Sequence, residues 1–493
     1  MSTSVHETER KYEAPTGVAL PDLADLPGVA AAAGPREQHL EAVYYDTADL
    51  RLARAGWTLR RRVGGDDAGW HLKLPVAADT REEVRLPPGR ASKHPPKQLG
   101  SLVQVHARGD ELAPVARIRT TRHSWQLVDD RGRLLAEVVE DLVSAQDVAD
   151  ASVDTWREIE VELGERGDRA LLDLVERRLA EAGITRSASA AKLTRLLAGR
   201  LSPAPPAPGP GRTAGEVVLA YLREQAEAMK QQDPRVRRQE HDAVHQMRVA
   251  TRRMRSALQA FGKVVDRERT RALTDELKWI AGVLGEARDA EVLRAEFETT
   301  VAELDDAVVL GPVAARLTRH FAPLEAAAHE AATTAMNSRR YFELLDAVDA
   351  LLAEPPLTPL AAHKAKKVLP PLVDKTYRRL ARAAAHAHDD ESLHESRKAA
   401  KRLRYAVEAV EPRFGKAARK YRKRLKGLQT LLGDHQDSVV ARPVLRELGA
   451  QAHRDGENGF TFGVLHGLAA AKAARVEERF PAVWRDLGAP RFA

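Results

Sequence analysis

At 493 residues, with 43 % hydrophobic and 30 % charged residues, the chain has the profile of a soluble protein of roughly three to four average domains. It contains no cysteine, so disulfides and thiolate metal sites are excluded and a reducing, cytoplasmic setting is expected. The net charge of +7 is modest, no run approaches the ~20 apolar residues that span a bilayer, and the polar N-terminal stretch has no apolar signal core. Any preference for anionic partners must come from local clustering of charge.

From the N-terminus the hydrophobic pattern has period two. WTLRRRV, WHLKLP, EEVRL, SWQLV, LLAEVVEDL and WREIEVEL read as strands, with Gly-Asp-Asp-Ala-Gly between the first two as a hairpin loop. Helices are expected over Pro95–Ala107 and Arg169–Ala182. A first strand carries Glu7, Glu9 and Lys11 on one face. Arg60 and Arg62 share a face from which Leu59 and Val63 point away. Lys73 lies opposite Leu72 and Leu74. Arg81, Glu83 and Arg85 oppose Val84 and Leu86, and Glu158, Glu160 and Glu162 oppose Ile159, Val161 and Leu163. Such strands build either a sheet with one wet face or a barrel whose charged interior needs ions and a ligand to offset desolvation. Two carboxylates on one strand face suit a hard cation such as Mg²⁺ or Mn²⁺.

The pattern resembles the CYTH family, the triphosphate tunnel fold, over about residues 4–200. The resemblance rests on Glu7-x-Glu9-x-Lys11, Tyr44-Tyr45-Asp46-Thr47, Arg60-x-Arg62, the Lys73 strand, Thr121-Arg122 and Ser189-Ala-Ala-Lys192. It implies an eight-stranded antiparallel tunnel with flanking helices that binds triphosphates end-on with a divalent metal. It implies a phosphate cradle of Lys11, Arg60, Arg62, Lys73, Arg122 and Lys192, and metal carboxylates Glu7, Glu9, Glu160 and Glu162. Glu7, Glu9, Lys11 and Glu160 are then the catalytic set, and Glu83, Glu137 and Asp141 are further tunnel acids. Arg117 and Arg119 share a parity that Arg122 lacks, so without a bulge they cannot all face inward; Arg122 is favoured, with Arg119 next.

Ser202–Arg212 has five prolines in eleven residues and can form neither a helix interior nor a central strand, so it marks a linker at 201–212 between domains at 1–200 and 213–493. Beyond it, apolar residues recur every three or four positions and eleven helices are expected between 214 and 479, with breaks near 285–287 and 433–434. This half repeats itself. His245-Gln-Met-Arg248-Val-Ala-Thr-Arg252-Arg253-Met-Arg255 aligns with His394-Glu-Ser-Arg397-Lys-Ala-Ala-Lys401-Arg402-Leu-Arg404. Downstream, Leu284-Gly285-Glu-Ala-Arg-Asp289 aligns with Leu432-Gly433-Asp-His-Gln-Asp437. A duplicated helical bundle accounts for both.

At about 100° per residue, His245, Arg248, Arg252 and Arg255 fall within roughly 80° on a helix, and so do His394, Arg397, Lys401 and Arg404. Like charges at this spacing repel, and between His394 and Lys426 there are thirteen Lys or Arg against three acids. One such stripe is an ordinary solvated face; the same spacing twice points to a bound polyanion. Arg forks and Lys point charges suit phosphate oxygens. Sparse aromatic interleaving and the lack of a base-reading motif argue against nucleic acid.

These residues resemble the CHAD family, the conserved-histidine α-helical domain, over about 213–480. That resemblance implies two helical bundles related by approximate two-fold symmetry and a basic surface for inorganic polyphosphate. The residues carried over are His245, Arg248, Arg252, Arg253 and Arg255, then His394, Arg397, Lys401, Arg402 and Arg404, with Lys278 and Lys426 as weaker additions. The expectation is a multidomain α+β protein that binds inorganic polyphosphate in its helical half and hydrolyses triphosphate or short polyphosphate in its tunnel. One alternative is a binding module without turnover that takes the protein to polyphosphate granules. Adenylate cyclase or thiamine-triphosphatase activity is a lesser one, as no purine or thiazole pocket is legible.

Overall fold

The computed structural model describes residues 3–15, 17–89, 94–201 and 211–492. The chain divides into two compact units, residues 1–205 and 206–493. The proline-rich stretch 202–210 lies outside the described residues.

In the first unit the strands are β1 (Thr3–Glu13), β2 (Ala31–Asp46), β3 (Thr58–Val63), β4 (Gly69–Ala77), β5 (Thr80–Leu86), β6 (Ala113–Val128), β7 (Leu134–Asp147) and β8 (Val153–Leu163), with a short β9 (Thr185–Arg186). Helices α1 (Arg51–Arg54), α2 (Lys97–Leu102), α3 (Gln104–Ala107), α4 (Arg169–Glu181) and α5 (Lys192–Leu196) flank them. Eight strands close an antiparallel barrel in the order β1-β5-β4-β3-β2-β6-β7-β8. One strand makes the closure: Thr3–Thr8 of β1 pairs with β5, and Glu9–Glu13 pairs with β8.

Alternation then sorts the side chains. Tyr12, Leu127, Val138, Ile159 and Val161 point outward and pack under Leu172, Val175 and Leu179 of α4. The opposite parity points inward. At one end it carries Ala42, Ala116, Ile118, Val143, Ala145 and Trp156, which pack with Leu193 of α5 and Leu197 just after it. The rest of the interior is mostly charged, with Gln38, Leu40, Tyr44, Thr58, Ser124 and Gln126 among the charges. Strand β2 does not read as a strand in sequence because its first nine residues are exposed or half-exposed and do not alternate; β6 holds it through a register spanning Ala31–Asp46.

The second unit contains α6 (Ala214–Arg237), α7 (Ala243–Ala260), α8 (Arg271–Ala302), α9 (Val313–Met336), α10 (Arg339–Ala353), α11 (Ala365–Ala385), α12 (Asp390–Arg454) and α13 (Phe460–Leu487). Helix α12 has two arms, divided at Gly415, whose φ of 56° is non-helical. Helices α6 to α9 pack in succession, and α11, the two arms of α12, and α13 repeat that succession. Phe297, Leu317 and Phe321 of the first set meet Leu445, Leu448 and Phe462 of the second in one apolar cluster.

The breaks expected at Gly285 and Gly433 do not occur: both glycines lie inside continuous helix. Helix α11 begins before the expected 370 and runs through Pro370 and Pro371. Among the described residues no helix is long and apolar enough to cross a membrane.

Asp46 supports the barrel wall at the end of β2. Its fully buried carboxylate accepts hydrogen bonds from the backbone N–H groups of Thr47 (2.7 Å), Leu52 (2.9 Å) and Ala53 (2.9 Å). Asp46→Ala leaves those donors without a partner and should cost about 3 kcal/mol, seen as a lower urea midpoint, whereas Asp46→Asn, which keeps one accepting oxygen, should cost less.

Candidate functional site

Inward parity gathers side chains from the strands and α5 around a cavity of about 690 Å³. Glu7, Glu9 and Lys11 of β1, Arg60 and Arg62 of β3, Lys73 of β4, Arg122 of β6, Glu160 and Glu162 of β8, and Lys192 of α5 line it, as do Glu83 and Glu137. Asp141 is fully buried behind the wall, held by Arg122 through paired bonds of 2.8 and 2.7 Å. Arg119 is not part of the cavity. The β6 register is unbroken from Ala116 to Leu127 against β7, so Arg119 keeps the outward parity; its side chain is 78 % exposed beside Glu41. Arg36, Arg81 and Arg85 line the cavity without having been singled out for the cradle. Arg81 and Arg85 share the parity of Glu83 and were legible; Arg36 lies in the part of β2 that does not alternate.

The cavity wall holds nine cations and eight carboxylates, so most charges already have a partner. Glu7 is bound by Lys73 and Arg85, each at 2.6 Å. Glu160 meets Lys11, Lys192 (2.7 Å) and Arg122 (3.3 Å). Burial opposes its charge, but these three cations outweigh burial and hold the carboxyl well below its ordinary value. Glu83 joins His71 Nδ1 at 2.9 Å and Arg85, and Arg62 joins Asp67 at 2.6 Å.

The helical unit is arranged differently. The stripes of α7 and the first arm of α12 face a common region, where Arg248, Arg252 and Arg397 crowd Lys401. Arg248 lies over Gly285, where an added β-carbon would stand 3.1 Å from Nη2, and Arg397 lies over Gly433 at 3.9 Å. Gly285 therefore gives the Arg248 guanidinium room against the next helix, whereas at Gly433 a β-carbon would make only ordinary contact with Arg397. Arg248 is 3.4 Å from Asp289 and Arg397 is 3.6 Å from Asp437, the aligned acids of the two repeats. Nε of Arg248, Arg255, Arg397 and Arg404 is buried with no hydrogen-bond partner among the described residues. Arg253 is committed elsewhere, in a 2.8 Å ion pair with Glu408 that links α7 to α12. Arg402, Lys278 and Lys426 are exposed.

The CYTH domain family matches residues 5–197 and the CHAD domain family residues 220–446. This chain belongs to the CYTH–CHAD proteins. It is 38 % identical over 506 residues to an uncharacterized protein from each of two strains of Mycobacterium tuberculosis, covering 98 % of this chain and 96 % of that protein. Similar solved structures include PptA from Streptomyces chartreusis, at 24 % identity, 56 % of this chain, 100 % of that chain and a TM-score of 0.48. Another is the CHAD domain from the plant Ricinus communis, at 29 % identity, 59 % and 100 % coverage and a TM-score of 0.47.

Two acidic groups of the CYTH domain bear on a metal. Asp141, Glu158 and Glu160 converge, but the Lys192 ammonium stands 2.7–2.8 Å from all three and fills the place of a cation. Glu158 was read only as a residue of this strand face, yet it completes the group. Glu162 has no ion-pair partner among the described residues. It stands opposite Glu9 on β1 and Glu137 on β7. Burial and the charges of Glu7, Glu9 and Glu160, against Lys73, push its carboxyl up to about 7. An uncompensated carboxylate among carboxylates fits a hard divalent cation.

In the CHAD domain, burial pushes Lys401 down to about 7, with Arg252, Arg397 and Arg248 adding to the shift. Burial also lowers His245 and His394, and His394 Nδ1 contacts Gln436 Oε1. A bound polyanion would favour the charged form of Lys401 and return its pKa toward the ordinary 10.5. Free protein then lacks this proton above about pH 7 while the complex keeps it, so binding takes up a proton and affinity falls as pH rises from 7 toward 10. Calorimetry with long-chain polyphosphate at pH 8.5, in two buffers of different ionisation enthalpy, should show uptake of about one proton. Lys401→Arg should bind with that uptake removed; unchanged uptake would assign the proton to another group.

Proposed function

We propose that this protein binds inorganic polyphosphate along the CHAD groove and hydrolyses the terminal phosphoanhydride of triphosphate or short polyphosphate in the CYTH cavity. One observation carries the reading: the two basic sites differ in their acids. The groove presents cations with two partly exposed aspartates beside them, which suits retention of a polyanion. The cavity nearly balances its cations with carboxylates, so a highly charged triphosphate fits only when divalent cations accompany it.

Glu7, Glu9, Glu160 and Glu162 would hold Mg²⁺ or Mn²⁺, which would supply charge neutralisation on the phosphate oxygens. Arg60, Arg62, Lys73, Arg122 and Lys192 bind and align the chain, and their fixed positive charge stabilises the departing phosphate. Water adds to the terminal phosphorus, the bond to the bridging oxygen breaks, and a wall carboxylate takes the proton from water. The products are orthophosphate and a chain one phosphate shorter. Phosphate release from tripolyphosphate should require Mg²⁺ or Mn²⁺ and fall by about 100-fold or more in Glu7→Ala/Glu9→Ala. Equal rates in the two proteins would refute hydrolysis here. ATP, thiamine triphosphate and long-chain polyphosphate in the same assay separate this reading from the nucleotide and thiamine alternatives.

A second reading, retention without turnover and targeting to polyphosphate granules, has its own support. The ion pairs of Glu7 and Glu160 compete with any metal for the same oxygens. Under both readings the groove binds polymer. Replacing Arg248, Arg252, Arg397 and Lys401 by Glu should abolish capture on immobilised polyphosphate while leaving tripolyphosphate cleavage intact. Capture that persists would overturn the role of the stripes.

A further inference from the structure

Away from the cavity and the groove, three side chains converge in the second repeat of the helical unit. Asp390 opens the first arm of α12, His435 lies in its second arm, and Glu477 lies on α13. His435 is buried to 1 % exposure, and its Nε2 stands 3.3 Å from Asp390 Oδ1 and 3.2 Å from Glu477 Oε1. One ligand atom from each residue falls within 4.8 Å of the others.

Two features distinguish this from an ordinary histidine–carboxylate contact. A neutral imidazole N–H satisfies one acceptor, yet two carboxylates converge on the same nitrogen. The separations, 3.3 Å to Asp390 and 3.2 Å in the hydrogen bond with Glu477, are longer than the ~2.7–2.9 Å of a charge-assisted hydrogen bond. They match the edge of a tetrahedron around an ion with ligands at ~2.0–2.1 Å, about 3.3 Å. Arg442 is 2.8 Å from Asp390 Oδ2 and so orients the carboxylate with Oδ1 toward the histidine, as a supporting residue does around a metal ligand.

We propose that Asp390, His435 and Glu477 form a site for a divalent transition metal, with Zn²⁺ the ion best suited to one imidazole and two carboxylates. Asp390 and Glu477 are each about half exposed, at 48 % and 47 % of their side chains, which leaves water to complete the coordination. The metal ties together three helical segments. It lies one helical turn from His394 and one residue from Gln436, which His394 contacts, so it braces the start of the second basic stripe. The first repeat has Ala287 where the second has His435 and lacks the nitrogen ligand at the aligned position.

The test uses the full chain carrying Glu7→Ala and Glu9→Ala, so that the cavity acids contribute less. Equilibrium dialysis against Zn²⁺ with metal analysis should find a bound ion that His435→Gln removes, while Glu477→Gln and Arg442→Ala weaken it by about 10-fold or more. Glu477 is half exposed, so its variant should keep the helical circular dichroism and isolate ligation from folding. Co²⁺ in place of Zn²⁺ should give a visible absorption band of low-symmetry coordination that His435→Gln abolishes. Zn²⁺ stoichiometry and affinity unchanged by both His435→Gln and Glu477→Gln would overturn the site, and so would no Zn²⁺ bound by the cavity-depleted chain.

Discussion

Charge buried inside a closed sheet is the constraint on which the first unit depends. A barrel has no free edge, and strand alternation sends every second residue inward. Here that inward set is acidic and basic on most strands. An unpaired charge in such a place is costly, so the interior settles into interlocked pairs: Glu7 with Lys73 and Arg85, Arg122 with Asp141, Lys192 with three carboxylates. The same pairs underlie the proposed binding of phosphate. Under that proposal phosphate oxygens would replace carboxylates as partners of the bases, and an accompanying cation would take over the acids. Glu162, which has acids on both sides and no ion-pair partner among the described residues, marks the edge where balance fails.

The helical unit resolves its charge in the opposite sense. Its stripes gather like charges across facing helices, and few acids stand nearby. Burial, with crowding by Arg252, Arg397 and Arg248 added to it, lowers the pKa of Lys401, and several guanidinium nitrogens are buried with no hydrogen-bond partner among the described residues. Repulsion of this kind lowers the stability of the free protein and would be relieved by a bound polyanion, as the proposed function requires. Arg253 shows that not every cation of the pattern is held for a ligand, because Glu408 anchors it across the two helices.

Much of this was legible from residue order. The two-residue alternation around Glu7, Arg60, Lys73, Glu83 and Glu160 assigns these side chains to one face, and the paired His-x-x-Arg spacing assigns two helical stripes. Parity also separates Arg122 from Arg119, and the register carries that separation through without a bulge between them. Less was legible where the local signal and the tertiary environment disagree. Gly285 and Gly433 look like helix breaks, yet each sits in continuous helix, and at Gly285 a guanidinium from the neighbouring helix lies where a β-carbon would crowd it. Strand β2 lacks alternation because much of it is exposed, and only its pairing with β6 makes it a strand, so Arg36 was hidden with it.

Sequence by itself determined the two architectures and the charge pattern of the strand faces and helix stripes, because these follow from periodicity and composition along the chain. Tertiary structure decided which charges are spent on one another and which remain available. That depends on distances between residues far apart in sequence: Lys192 to Asp141, Arg253 to Glu408, His435 to Glu477. Electrostatic energy falls with separation and rises with burial. Neither quantity is written in residue order, and both are set only when the barrel closes and the helices pack.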